Sequence, residues 1–585
     1  MRKFAVISKL DMDNTANRIC RCVVSLLEKH GVRHAVVSPG SRNAPLLIAL
    51  SRKPGITTYN IVDERSAAFV ALGLSIASGS PVALVCTSGT ASLNYAQAVA
   101  EAFYRKVPLI VVSADRPKER IGQDDQQTIR QDGALANIVK RSYDINAAGN
   151  EPDLWYANRV TNDALITAMT GRFGPVHLNV RIPEPLGTLD DDSGDEQDAL
   201  MSRKVTLVRP RSVADADDLA RLADSIAPPQ RVMVVAGFAN PDRKLNEALQ
   251  QMSRMPNVAV LTETIANLHG EYFIDSIDAT LASIREDDAE AMRPDVVITT
   301  GGALVSRHIK QFLRSTQLKA HWHVGENEDT VDCFRQLSTR IEMDPGTFFS
   351  QLVATLKASE TNDGESSGDY GRRWETAKRR AHSLTISYAQ RSPWSDLKAF
   401  ATLVPMIPRR WNVQYSNGTS IRYAQIFGNH SYHRCDCNRG VSGIDGTTST
   451  AVGASIGYRD DVTLLVSGDM SAMYDVSGLT NRYLTPRFKM IVIDNGGGGI
   501  FRFIDSTSTL DIREEMFCCA SEQSVGKFGE ALGFKVLRAN DETSLRSEFK
   551  RFAEENEMPA MLVVSTPGEL SAQVLNGFFE FCKTH

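Results

Sequence analysis

The chain has 585 residues, 65 Lys and Arg against 70 Asp and Glu, and 42% hydrophobic residues. A net charge of −5 excludes a nucleic-acid binder working through bulk positive charge, and the composition excludes disordered, collagen-like and disulfide-scaffold classes. At roughly 100–200 residues per domain, the length predicts about three or four domains with ample core. No run approaches the ~20 apolar residues that span a bilayer, and nine scattered cysteines suit a reducing compartment. A cytoplasmic enzyme is expected, with small molecules rather than nucleic acid or membrane as partners.

In chain order, Asn14 or Thr15 caps a helix carrying Ile19, Val23, Leu26 and Leu27 on one face, stopped by Gly31. His34 to Val37 reads as a buried strand running into Ser38-Pro39-Gly40-Ser41-Arg42, and the same reading recurs at 81–86 and 108–113. Two stretches break the alternation and read as exposed linkers: the acidic 187–202 (GTLDDDSGDEQDALMS) and the Ser- and Gly-rich 357–371 (KASETNDGESSGDYG). They predict three pieces, 1–186, 203–356 and 372–585. Strands are expected at 231–236 and 295–300 in the middle piece, and at 462–467 and 489–493 in the last. Strands separated by helical stretches imply an α/β fold, each piece a parallel sheet flanked by helices.

The chemistry concentrates between Val466 and Phe501. One strand ends at Gly468-Asp469 and a second at Asp494-Asn495 before four glycines. Parallel sheets bind ligands at the carboxyl ends of their strands, so Asp469 and Asn495, 26 positions apart, both stand at such ends. A carboxylate, an amide oxygen and the carbonyl of Gly497 make a hard-oxygen site for Mg²⁺, which completes its octahedron with phosphate and water. Glycines admit a diphosphate close to the backbone. An ordinary strand–turn–helix with an Asp cap and a Gly-rich loop is the alternative.

This pattern resembles the thiamine-diphosphate motif, in which Gly-Asp is followed at about this distance by Asn and anchors Mg²⁺ and diphosphate. That motif usually has a third small residue after Gly-Asp and a double Asn; here those positions hold Met470 and Asp494-Asn495. In VDERSAAFVALG, Glu64 follows a strand and opens a helix. In thiamine-diphosphate enzymes a Glu so placed hydrogen-bonds N1′ of the aminopyrimidine and favours the imino tautomer that takes the thiazolium C2 proton. By itself Glu64 is equally a helix-start carboxylate.

The segments SPGSRNAPL (38–46), DERSAAF (63–69), TSGTASLNYAQAV (87–99), SADRP (113–117), QQTIRQ (126–131), NRGVSGIDG (438–446), GDMSAMYD (468–475) and NGGGGIF (495–501) narrow the resemblance. They are similar to the 2-succinyl-5-enolpyruvyl-6-hydroxy-3-cyclohexene-1-carboxylate (SEPHCHC) synthase family of menaquinone biosynthesis. That family decarboxylates 2-oxoglutarate on thiamine diphosphate and adds the product to isochorismate. The resemblance implies pyrimidine-binding, central and diphosphate-binding domains. It also implies a homodimer, or a homotetramer, with active sites between chains: Glu64 from one, Asp469 and Asn495 from the other.

The resemblance further implies substrate and catalytic roles for Ser41, Arg42, Gln127 and Arg439, and substrate contacts for Arg116, Arg307, Arg422, Ile500 and Phe501. Both substrates are dicarboxylates, and guanidinium forks suit carboxylates. Around the cofactor it implies Glu64, Ser442, Gly443, Ile444, Gly468, Asp469, Met470, Ser471, Asn495, Gly497, Gly498 and Ile500, with Ile444 propping the cofactor into its bent shape. Asp469, Asn495 and Gly497 are the implied ligands of Mg²⁺ or Mn²⁺. Many relatives carry Lys-Arg where this chain has Arg307-His308. Singly, each of these arginines is equally a surface ion-pair residue, and Ile444 a core residue.

Other 2-oxoacid decarboxylases on the same cofactor are the nearest alternative, then a non-catalytic cofactor binder; a Rossmann dehydrogenase lacks its glycine fingerprint at the opening turn. His430, His433, Cys435 and Cys437 are zinc-ligand types, but single-residue separation fits zinc spacings poorly, so they are expected as strand residues. Cys20, Cys22, Cys518 and Cys519 are expected to be packing residues.

Overall fold

The computed structural model describes residues 17–147, 151–184, 186, 202–209, 212–326, 329–359, 369–428, 432–520 and 523–585. Among these the strands form three sheets, and every strand pairing is parallel. The first sheet comprises β1 (His34–Val37), β2 (Thr57–Asn60), β3 (Val82–Cys86), β4 (Leu109–Asp115), β5 (Ser142–Asn146) and β6 (Val176–Arg181), ordered β2-β1-β3-β4-β6-β5. The second comprises β7 (Val232–Ala236), β8 (Val258–Thr262), β9 (Val296–Thr300), β10 (Ala320–Val324) and β11 (Thr339–Ile341), ordered β11-β10-β9-β7-β8. The third holds β12 (Asn412–Tyr415), β13 (Arg434–Cys437), β14 (Thr463–Gly468), β15 (Phe488–Asp494), β16 (Lys535–Ala539) and β17 (Ala560–Ser565), ordered β13-β12-β14-β15-β17-β16.

Helices flank each sheet, the expected α/β arrangement. The central strands β3, β4, β7 and β9 are buried along their whole length, which is why they read as continuous apolar runs. Edge strands β2 and β16 alternate. β13 is an edge strand yet fully buried, because Asn267 pairs with its backbone: Cys435 N donates to Asn267 Oδ1 at 2.7 Å and Asn267 Nδ2 to Cys435 O at 2.9 Å. The open edge is thereby blunted by one amide.

The chain divides into two compact units. One gathers the chain up to Arg209 with Gly440–Arg459 and Asp475–Leu484; the other gathers Pro210–Arg439, Asp460–Tyr474 and Thr485–His585. Within the first, the helix Glu64–Ser78 packs on the helix Thr447–Gly457 so closely that their backbones touch. A Cβ at Gly73 would collide with Thr450 O, and one at Gly453 with Val70 O.

The first described helix covers 17–29 and buries Ile19, Val23, Leu26 and Leu27; its expected cap positions, Asn14 and Thr15, lie outside the described residues. β4 and β15 run longer than expected because Asp115 still pairs with Arg181 and Asp494 with Ser565. Residues 187–201 also lie outside the described set. Ser202, expected in an exposed linker, is instead buried, with its Oγ 2.8 Å from Ser25 Oγ and 2.9 Å from Lys29 Nζ. Residues 360–368 are likewise outside, but the flanks of the second expected linker are helical. Tyr370 is buried, its hydroxyl donating to Met292 O at 3.2 Å. Cys20, Cys22 and Cys518 are buried, whereas Cys519, just past the end of the helical turn Glu514–Cys518 and with a left-handed φ of 47°, is exposed. His430 lies outside the described residues, and His433 is exposed just before β13 rather than in it, because the strand begins only at Arg434; Cys435 and Cys437 are buried in β13. No helix among the described residues is long and apolar enough to cross a membrane.

Candidate active site

In the first sheet the connections diverge between β1 and β3, and the crevice outside the carboxyl ends of such strands is the binding position of open α/β sheets. Ser38 follows β1 there. Its Oγ donates to Ile61 O at 2.9 Å and its carbonyl accepts from Asn43 Nδ2 at 2.9 Å, tying the Ser38–Arg42 turn to the segment after β2. That segment ends at Asp63, which caps the next helix by accepting from Arg65 N at 3.0 Å and Ser66 N at 3.3 Å. Glu64 is thereby placed as the first helical residue, where the macrodipole favours a carboxylate. Its charge reaches Cys86 at the end of β3 and Tyr95. Burial is the main cause that raises both groups, and the Glu64 carboxylate adds to it.

Ser41 and Gln127 are exposed. Gln127 has a left-handed φ of 55°, and the Gln131 side chain beside it accepts from Gly89 N at 3.0 Å. Arg42 is buried, donating from Nη1 to Ile182 O at 2.9 Å and from Nη2 to Glu184; Arg116 Nη1 donates to the same Glu184 oxygen at 2.9 Å. Burial is the leading cause that lowers Arg42 from its usual value, only partly countered by Glu184.

The turn 440–446 also belongs to this unit. Glu101, 1% exposed, accepts from Gly440 N and Val441 N, both at 2.7 Å. Just beyond, Ser442 has a φ of 65°, a strained position for a residue with a Cβ, followed by Gly443 and Ile444. The helix after this turn is fastened by Asp475, whose carboxylate accepts from Ser449 N at 2.7 Å and Ser449 Oγ at 2.8 Å. Asp475 is fully buried, and burial pushes its carboxyl up to about 7. Ser477 Oγ, two residues on, lies 2.8 Å from Ser66 Oγ on the Glu64 helix.

The second unit holds the Gly-Asp and Asn-Gly turns. β14 and β15 are neighbours, with Gly468 paired to Ile493, so Asp469 and Asn495 emerge side by side at the carboxyl edge. Asp469 Oδ1 accepts from Met470 N at 2.8 Å and Oδ2 from Gly497 N at 2.7 Å. Burial pushes its carboxyl up to about 6, and these two amides partly offset that. Asn495 Nδ2 donates to the buried Asp396 at 2.7 Å, while Asn495 Oδ1 is buried with no partner among the described residues. Gly497 has a φ of 105°, and a Cβ there would collide with Cys518 O. Arg502 holds the turn from behind, donating to Asn495 O at 3.0 Å and Gly496 O at 2.8 Å. Ser471 lies buried in the helix that begins at Asp469, and Gly498 leads into a short 3₁₀ turn, Gly499–Arg502, that contains Ile500 and Phe501.

Arg307 and Arg422 line a cavity of about 1170 Å³ in this unit, with His308, Asp278, Phe503 and Phe579 among its walls. Burial, then Arg439 and Arg307, bring Arg422 down to about 10. His308 is raised, chiefly by its hydrogen bond to Asp278, 3.2 Å away, so it adds a partial positive charge beside Arg307. Arg439, 8% exposed, donates to Asn417 Oδ1 at 3.0 Å and Leu304 O at 3.4 Å, and its Nε has no partner among the described residues. Arg307 and Arg439 are thus both close enough to act on Arg422 electrostatically. The two residues after Leu304 are held in turn: Glu263, fully buried, accepts from Val305 N and Ser306 N at 2.8 Å.

Four carboxylates absent from the sequence reading therefore support the expected residues: Glu101, Glu263, Asp396 and Glu184. Each is buried against, or salt-bridged to, groups far away in the chain. The one signal for Glu101 in the sequence is an acid inside the apolar run AVAEAF.

Two comparisons bear on this arrangement. A family model described as thiamine pyrophosphate enzyme, N-terminal TPP binding domain, matches residues 18–134. The SEPHCHC synthase of Porphyromonas gingivalis is 39% identical over 576 residues, covering 98% of both chains. Those of Christiangramia forsetii and Flavobacterium psychrophilum are 36% and 35% identical, over 97% and 96% of this chain and 99% and 98% of their own lengths. Similarity of that depth along nearly the whole length, with Glu64 and the Asp469–Asn495 pair each standing at the carboxyl edge of a parallel sheet, means that the chain belongs to the SEPHCHC synthase family.

Proposed function

We propose that the protein decarboxylates 2-oxoglutarate on thiamine diphosphate and joins the remaining four-carbon unit to isochorismate, giving SEPHCHC and CO₂ for menaquinone biosynthesis in the cytoplasm. The observation that carries this is the 39% identity with a synthase of that name along 98% of both chains.

The residues present fit the cofactor and its ion. Asn495 offers a buried, unpartnered amide oxygen, Asp469 a carboxylate whose two backbone bonds leave lone pairs free, and Gly497 a carbonyl in a turn no side chain could occupy. This all-oxygen set suits Mg²⁺ or Mn²⁺ carrying phosphate oxygens. Asp469, Asn495 and Gly497 would hold the ion, and Gly468, Met470, Ser471 and Gly498 would lie along the diphosphate. Ser442, Gly443, Ile444 and Ile500 would flank the rings. Thiamine diphosphate, when bound, supplies the electron sink for decarboxylation and carbon–carbon bond formation.

The remaining work falls to side chains. Glu64 holds the proton exchanged with the aminopyrimidine N1′. Arg42, Arg116, Arg307, Arg422 and Arg439 bind the substrate carboxylates, with Ser41 and Gln127 orienting them. Ile500 and Phe501 keep water from the reacting carbons. The functional unit is a homodimer, alone or within a tetramer, in which Glu64 of one copy serves Asp469 and Asn495 of the other.

The test is loss of isochorismate absorbance in the presence of thiamine diphosphate, Mg²⁺ and 2-oxoglutarate. Consumption that requires all four components is expected. CO₂ release with isochorismate untouched would leave the cofactor assignment standing and overturn the acceptor.

A further inference from the structure

Arg42, Arg116 and Arg120 bring three guanidiniums to a single carboxylate. Arg42 Nη2 and Arg116 Nη1 both donate to Glu184 Oε1, and Arg120 Nη1 lies 3.8 Å from Oε2. Asp125, 3.7 Å from Arg120, is the other acid paired with this group among the described residues, so among these, three cations face two anions. Burial is unequal: the side chains of Arg42 and Arg116 are 4% and 13% exposed, and that of Glu184 is 46% exposed. The Nε atoms of Arg42 and Arg116 are buried and have no partner among the described residues.

Buried guanidiniums need a carboxylate at all times, because an unpaired buried charge is strongly destabilising. A half-exposed carboxylate pairs weakly and exchanges easily. The backbone anchor of the segment 182–184 and its carboxylate are also separate. Arg42 Nη1 holds Ile182 O at 2.9 Å, just past β6, and Glu184 follows two residues later. The carboxylate can therefore leave while the backbone contact stays.

We propose that Glu184 is the resident carboxylate of the Arg42–Arg116–Arg120 triad and competes there with a carboxylate of the substrate. It makes Glu184 a specificity-setting residue that holds the guanidiniums in register when the site is empty and lowers affinity for the incoming anion. The inference rests on the reading of Arg42 and Arg116 as substrate residues. Arg42 first and Arg116 next hold the Glu184 carboxyl below the usual range, so it stays ionised and the competition persists at neutral pH.

The experiment compares steady-state kinetics of Glu184→Gln, Arg116→Ala and Arg42→Lys, each checked for an unchanged melting temperature, with 2-oxoglutarate and isochorismate varied in turn. Arg116→Ala and Arg42→Lys identify the triad's substrate as the one whose KM rises. Glu184→Gln lowers that same KM by about two- to fivefold, the value of a half-exposed ion pair, with kcat and the other KM unchanged. Calorimetric titration of the cofactor-free protein with that substrate shows the same ratio in Kd. A raised or unchanged KM in Glu184→Gln, with the arginine variants impaired, overturns the competition alone. Arginine variants with both KM values unchanged overturn the substrate reading of the triad and the competition with it.

Discussion

Asn495 shows how one neighbour can fix an amide. Asp396 accepts from Nδ2, so the amide oxygen must face the other way, and it does so without a partner among the described residues. Thr566 Oγ1 at 2.6 Å and Ser571 Oγ at 3.3 Å hold Asp396 in turn. The oxygen proposed above to meet a cation is thus oriented by the fold itself. Glu64 is placed by a different device, a helix start, and two substitutions separate the roles. Glu64→Gln is expected to keep Mg²⁺-dependent thiamine diphosphate binding while turnover falls by about 10²–10⁴-fold, the usual share of a proton-transfer group. Asp469→Ala is expected to lose the binding itself. Fluorescence titration with cofactor and Mg²⁺, run beside the activity assay, distinguishes them, and loss of binding in Glu64→Gln would refute its assignment.

At the scale of elements, Asp475 is where pH acts on the fold. It fastens the helix Thr447–Gly457 from inside the protein, and burial lifts its carboxyl from an ordinary 3.8 to about 7. The folded state therefore binds the proton more tightly than the unfolded chain. The stability this contributes is complete below pH 3.8 and is lost as pH rises to about 7, at about 1.4 kcal/mol per pH unit. Asp475→Asn should escape that loss. The melting temperature of the native protein relative to the variant is expected to fall between pH 4 and 7 and to level off above, and parallel curves would count against it. The helices and strands themselves were legible. Central strands such as 81–86 and 231–236 are apolar on both faces, and the paired Gly-Asp and Asn-Gly turns stand out by composition. The carboxylates that hold the turns were not legible, because Glu101 and Gly440, or Glu263 and Ser306, meet only through tertiary structure. Ser202 was misread for the same reason: its partners, Ser25 and Lys29, are remote in sequence.

For the whole molecule, the proposed sharing of sites between copies has a direct consequence. Glu64→Gln and Asp469→Ala homodimers should each be inactive. Unfolded together and refolded as a mixture, they should regain about a quarter of native activity, because half the dimers are mixed and each of those has one intact site. No recovery would place Glu64 and Asp469 of one active site in the same copy. The make-up of the first compact unit also bears on how the protein is born. Its Glu64–Ser78 helix buries an apolar face that includes Phe69 and Val70, and the helix it touches begins only at Thr447. At roughly 5–20 residues per second, the ribosome takes about 20–70 s to add that partner. Through that interval the glycine-notched helix stays uncovered on the nascent chain, for the later part of it on a finished first sheet, until the last third of the protein emerges.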